Sequence, residues 1–131
     1  MCLEVTLTPS ALAKASVGAA KLASASGLVV ESGQNNLGKC MHFSATGGCG
    51  CDLLAKKAKH ATSWELSNES AEKLAIAVAL YGKEAKSFTF QSRWLGEEVA
   101  EPKRIKLAKL QEEIRENRVP KNTPLLVGSH P

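Results

Sequence analysis

Leu3, Val5 and Leu7 alternate with Glu4, Thr6 and Thr8, a period of two that predicts a first strand with its apolar side chains on one face. Pro9 ends that strand, and Pro9 and Ser10 open a predicted helix to about Ser24, with Leu12, Ala15, Ala19 and Leu22 on one side and Gly27 as its stop. Leu28 to Val30, the turn cluster Gly33 to Asn36 and the returning segment Lys39 to Ser44 predict a hairpin. Asp52 is expected to cap a short helix over Leu53 to His60, followed by an extended Thr62 to Leu66.

The strongest helix signal starts at Ser67 and Asn68. Capping side chains are followed by Glu69 and Glu72 in the first turn, with Lys83 and Lys86 near the end, the charge order that the helix dipole favours. Leu74, Val78 and Tyr81 form one stripe with Ile76 and Leu80 beside it, so this helix is expected to be widely buried. Ser87 to Trp94 alternates again, with Phe88, Phe90 and Trp94 on one face and Thr89, Gln91 and Arg93 on the other. Beyond a turn at Gly96, Arg104 to Leu107 is expected as a short strand, because Lys103, Arg104, Lys106 and Lys109 would repel the positive end of a helix starting there. A helix over Ala108 to Asn117 follows, carrying Leu110 and Ile114, and Pro124 to Val127 is expected as a last edge strand.

Strand, helix, two strands, helix, strand is the order of a ferredoxin-like split βαβ sheet packed by two helices. The expected fold is therefore α+β, with residues 1–94 in that arrangement, a cysteine-rich loop inserted at 40–60, and a C-terminal strand-helix-strand extension. Such a fold hosts many functions and selects none.

A chain of 131 residues suits one domain, and 44% hydrophobic but only 5% aromatic content implies a core of Ala, Leu, Val and Ile. The formal charge of +4 is broken up by acids, so it permits contact with polyanions without predicting it. No apolar stretch reaches the roughly 18 to 20 residues that span a bilayer, and Met1 to Glu4 do not begin a basic-then-apolar leader. The expectation is a soluble cytoplasmic chain with no membrane partner. Four cysteines in that setting read as thiols, metal ligands or redox groups rather than a disulfide framework.

Cys40, His42, Cys49 and Cys51 gather within one glycine-rich segment. On a strand Cys40 and His42 share a face, about 6 to 7 Å apart at their α-carbons. A reversal through Gly47, Gly48 and Gly50 would return Cys49 and Cys51 against them, giving the three thiolates and one imidazole that zinc accepts. The spacing is unusual, since structural zinc knuckles commonly use Cys-x2-Cys. A second chemical reading makes Cys49 or Cys51 a reactive thiol at a helix start, where the dipole with Lys56 and Lys57 favours a thiolate and Asp52 opposes it. The plain reading is that Cys40 fills core and the other two are small side chains tolerated in a turn. Gly47, Gly48 and Gly50 also offer amides to an anion or ligand. No phosphate-binding loop, dinucleotide fingerprint, zinc-protease helix or serine elbow is present in the sequence.

Arg93, Lys103, Arg104 and Lys106 near Phe88, Phe90 and Trp94 suggest a single-stranded nucleic-acid surface, against a reading of those aromatics as core. The functional expectation is thus a small soluble domain that binds an unknown protein or small molecule, with a zinc-type ion as candidate cofactor in the 40–51 loop. Its alternatives are a thiol redox or cysteine-nucleophile enzyme using Cys49 or Cys51, and a weak single-strand binder.

Overall fold

Among the described residues, six strands and three α-helices follow in the order β1 (Leu3–Pro9), α1 (Ala19–Ser26), β2 (Val29–Asn35), β3 (Gly38–Ser44), α2 (Asn68–Ala85), β4 (Phe88–Trp94), β5 (Lys103–Ile105), α3 (Leu107–Arg115) and β6 (Leu125–Val127), with a 3-10 turn at Gly50–Leu53 between β3 and α2. This computed structural model describes residues 3–10, 17–47, 49–54, 65–85 and 87–128. The strands form one sheet in the order β2-β3-β1-β4-β6-β5. Every neighbouring pair is antiparallel except β5 and β6, which run parallel. The architecture is mixed α+β. Among the described residues no helix is long and apolar enough to cross a membrane.

Register explains the layering. Leu3 stands opposite Trp94, Leu7 opposite Phe90 and Met41, and Phe88 and Phe90 opposite Val127 and Leu125. The period-two alternation therefore stacks the apolar residues of four strands on one face. They join a single buried cluster with Leu22 of α1, Leu74, Val78 and Tyr81 of α2, and Leu110 and Ile114 of α3. At ~2–5 kcal/mol for truncating a buried leucine, this cluster dominates the stability of the fold. Gly82 permits the closest helix contact: a β-carbon there would stand 2.7 Å from a Leu107 methyl at the start of α3.

The opposite face carries Glu4, Thr6, Thr8, Cys40, His42, Thr89, Gln91 and Arg93. The β2–β3 hairpin tip closes over it, since Asn35 Nδ2 donates to the hydroxyls of Thr6 and Thr8 at 2.9 and 3.2 Å. Gln91 Nε2 likewise donates to Asn36 Oδ1 at 2.9 Å.

Helix ends follow local chemistry. Ser67 Oγ accepts the Ser70 amide at 3.1 Å, the expected cap of α2. Gly27, at φ 82°, closes α1 by donating its amide to Ala23. Asn117 takes the left-handed position after α3 at φ 56°, and the Arg118 and Asn117 amides return to Glu113 and Ile114 as a Schellman motif requires.

Several expectations change. The early part of the first predicted helix, with Leu12 and Ala15, lies outside the described residues, and α1 begins at Ala19. The helix expected over Leu53 to His60 starts instead as the four-residue 3-10 turn, with Asp52 inside it and Cys49 at the cap position; residues 55–60 lie outside the described set, as does most of the extended segment expected at 62–66. Ile76 is 38% exposed because it falls off the buried stripe of α2. The last strand is not an edge. β6 lies between β4 and β5, so its backbone is paired on both sides and β5 forms the border.

Candidate functional site

The cysteine segment docks against β1. β3 pairs with β1 at Thr6–His42 and Leu7–Met41, while the 3-10 turn packs alongside Leu3 to Val5. Gly50 lies so close that a β-carbon would stand 2.8 Å from the Leu3 carbonyl oxygen, and Leu3 N–H donates to Cys51 Sγ at 3.1 Å. Asp52 holds the preceding turn, accepting from the Ala45 and Thr46 amides at 2.7 and 2.9 Å and from the Thr46 hydroxyl at 2.6 Å. The Gly47 amide donates to Ser44 Oγ at 3.0 Å, and Gly48 lies outside the described residues. Of the three glycine amides the sequence offered to an anion, that of Gly47 is thus taken by Ser44, while Asp52 takes the neighbouring Ala45 and Thr46 amides.

Of the four expected metal ligands, Cys40 and His42 come together, with Sγ 3.4 Å from Nε2. Cys51 is engaged with the backbone of β1, and Cys49 is exposed. Among the described residues no three His, Cys, Asp or Glu side chains converge as a metal ion requires.

His42 Nε2 is also 3.2 Å from the Gln34 carbonyl oxygen, and Nδ1 is 4.0 Å from the Glu4 carboxylate. A carbonyl only accepts, so Nε2 serves it as a donor and is not the base that would take a proton from Cys40. The Cys40 thiol, 4% exposed, is pushed up from 9.0 to about 11, first by burial and then by Glu4. It stays protonated at neutral pH and is not a nucleophile there. Cys49 instead shares a cleft of about 180 Å³ with Glu4, His42, Gly50 and Leu95.

Among the described residues, the basic side chains have no stacking surface beside them. Phe88, Phe90 and Trp94 are buried in the core under the helices, Arg93 is half-buried, and Lys103, Arg104 and Lys106 stand at the far border of the sheet.

A larger cavity, about 570 Å³, opens between the sheet and the helices at the β2–β3 side. It is lined by Pro9, the α1 entrance Val17 to Ala19, the strand segments Ser32 to Gln34 and Lys39 to Met41, and Tyr81 of α2. Val17, Met41 and Tyr81 are buried and form its floor, whereas Ser32, Gln34 and Lys39 are exposed and form its rim. Tyr81 is 2% exposed, and its ring meets Phe88 edge to face with centroids 5.3 Å apart. Burial raises its pKa above the ordinary 10.0, so the phenol is a neutral donor.

Sequence reasoning placed Tyr81 in the core and passed over Lys39 and Gly18. One signal was available: Gly18-Ala19-Ala20-Lys21 begins a helix with no capping side chain and no acid in its first turn. No family model matches the chain, and comparison with curated proteins and with solved structures gives no match.

Proposed function

We propose that this chain is a binding domain whose ligand is a small molecule held in the cavity between α1, α2 and the β2–β3 hairpin. One observation carries this reading. The cavity, about 570 Å³ and so within the roughly 300–1,000 Å³ range of small-molecule sites, has buried Val17, Met41 and Tyr81 in its wall. An apolar floor with polar groups at the rim is the usual composition of such sites. The test is a fragment screen followed by amide and methyl NMR. Hits that shift Val17, Met41 and Tyr81 support the proposal; an absence of hits, or shifts confined to Cys49 and His42, removes it.

The order β2-β3-β1-β4, with antiparallel neighbours and with α1 and α2 each linking strands that flank a third, supports reading the first four strands as a ferredoxin-like split βαβ unit extended by β5, α3 and β6. That reading places the cavity at one edge of the sheet and says nothing about its ligand.

A second reading, thiol chemistry at Cys49, is supported by its exposure and by the cleft it shares with His42 and Glu4. Alkylation of Cys49 across pH tests it. A rate component below the ordinary thiol range that His42→Ala abolishes favours this reading, and a simple free-thiol profile excludes it. The zinc-type reading has Cys40 and His42 of its four donors in contact, and among the described residues the nucleic-acid reading finds no exposed aromatic.

A further inference from the structure

We infer that the outer edge of β2 is a self-association surface, where two copies of this chain pair their β2 strands antiparallel about a two-fold axis at Ser32 and so join their sheets, whatever the cavity binds.

The two borders of the sheet differ. β5 is three residues long and carries Lys103 and Arg104, the shortness and charge with which an exposed edge resists pairing. β2 has neither protection. It runs seven residues without proline, lysine or arginine, and its unbroken register with β3, from Val29–Ser44 to Asn35–Gly38, leaves no bulge to twist the edge away. A two-residue turn joins Asn35 to Gly38, so that closing pair exchanges both backbone bonds, as do Gly33–Cys40 and Glu31–His42. Val30, Ser32 and Gln34 therefore turn their N–H and C=O groups outward. The Gln34 carbonyl meets His42 Nε2, and among the described residues the other outward groups have no partner.

A second copy of the same strand complements this edge. In self-pairing about Ser32, that residue faces Ser32 of the second copy and Val30 faces Gln34 on either side, giving about six backbone hydrogen bonds that use every outward group. The neighbouring registers are poorer. A two-fold at Gly33 leaves Val30 unpaired, and one at Glu31 leaves Gln34 unpaired and sets two carboxylates face to face. Charge is complementary in the Ser32 register. Glu31, exposed and without an ion pair in the described structure, comes to lie opposite Gly33 of the second copy. That glycine is where the His42 imidazole rests, since a β-carbon there would stand 2.7 Å from its Cδ2. Each Glu31 carboxylate thus arrives beside an imidazole, and symmetry repeats the contact.

The experiment is sedimentation velocity of the full chain from about 1 μM to about 1 mM, with isotope-filtered NMR on a mixture of labelled and unlabelled protein. So small an interface predicts dimers with a dissociation constant on the order of 10–100 μM. It also predicts a cross-copy nuclear Overhauser effect between the α-protons of Glu31 and Gly33, the close non-bonded pair of this register. Ser32→Pro removes an outward N–H that β3 does not use, so it should weaken the dimer at least about tenfold while circular dichroism stays unchanged. Ser32→Lys, which puts two ammonium groups face to face at the axis, should weaken it likewise without touching the backbone. A chain that stays monomeric at the highest concentration overturns the proposal, whether or not β2 accepts a strand from another protein. Dimers that lack the Glu31–Gly33 contact, or that both Ser32 variants leave intact, overturn it as well.

Discussion

Gly50→Ala tests how the cysteine segment is held. The new β-carbon would stand 2.8 Å from the Leu3 carbonyl oxygen, 3.2 Å from Val5 Cγ2 and 3.3 Å from Val5 N, and two of these atoms are sheet backbone that cannot yield. The turn must retreat, weakening the 3.1 Å contact from Leu3 N–H to Cys51 Sγ. Overpacking costs about 1–3 kcal/mol, the lost hydrogen bond adds up to about 1, and the lower entropy of the unfolded alanine chain returns about 0.4–1. The net expectation is about 1–3 kcal/mol of destabilisation in urea unfolding followed by circular dichroism. Gly33→Ala is the control, because it creates an equally close approach, 2.7 Å to His42 Cδ2. There the obstacle is an imidazole whose side chain is 29% exposed and can swing outward, giving up its 3.2 Å bond to the Gln34 carbonyl. That variant should lie within about 1 kcal/mol of the parent. Equal losses for the two variants, or a Gly50→Ala protein as stable as the parent, would refute the reasoning.

Tyr81→Phe removes a hydroxyl from the cavity wall, so fragment affinity should fall while thermal or urea unfolding of the ligand-free protein changes by less than about 1 kcal/mol. Peptide mapping after timed alkylation near pH 8 should find Cys40 modified about two orders of magnitude more slowly than Cys49, because one is buried with a raised pKa and the other is exposed. The same raised pKa means that the folded state holds the Cys40 proton longer than the unfolded chain, so stability should fall as pH rises from about 9.0 to about 11; a flat profile there would contradict it. Asn122, at φ 58°, donates to Glu97 through Nδ2, accepts the Trp94 amide at 2.8 Å through Oδ1 and is buried. Asn122→Ala should cost about 2–3 kcal/mol and Asn122→Gly about 1 less, since glycine keeps the backbone conformation but not the bonds; the reverse order in urea unfolding would exclude this account.

What the sequence made legible was local. β1 and β4 announce themselves because one face of each joins the apolar core while the other carries buried polar side chains, which writes a period of two into Leu3, Val5 and Leu7 and into Phe88, Phe90 and Trp94. α2 is readable from Ser67 and from its buried stripe. The place of β6 is not readable, because inserting it between β4 and β5 is a choice of partners made across the whole C-terminal extension. Asp52 looks like a helix cap because Asp suits that role, yet its acceptors are spent seven and six positions back on Ala45 and Thr46. Asn117 and Asn122 adopt left-handed conformations that a glycine would have signalled more plainly. Within the candidate site, the proximity of Cys40 and His42 follows from strand alternation. The cavity does not, since separate segments at Pro9, Val17, Ser32, Lys39 and Tyr81 meet only in three dimensions.

The most direct measurement is an experimental structure of the chain with a fragment bound. Tyr81 is the chain's one tyrosine, so its hydroxyl is an unambiguous marker of the cavity. The account predicts a polar ligand atom about 2.5–3.0 Å from Tyr81 Oη, with the rest of the ligand on Val17 and Met41. A ligand seated only in the cleft of Cys49, His42 and Glu4, with no ligand atom at the Tyr81 hydroxyl, would contradict it.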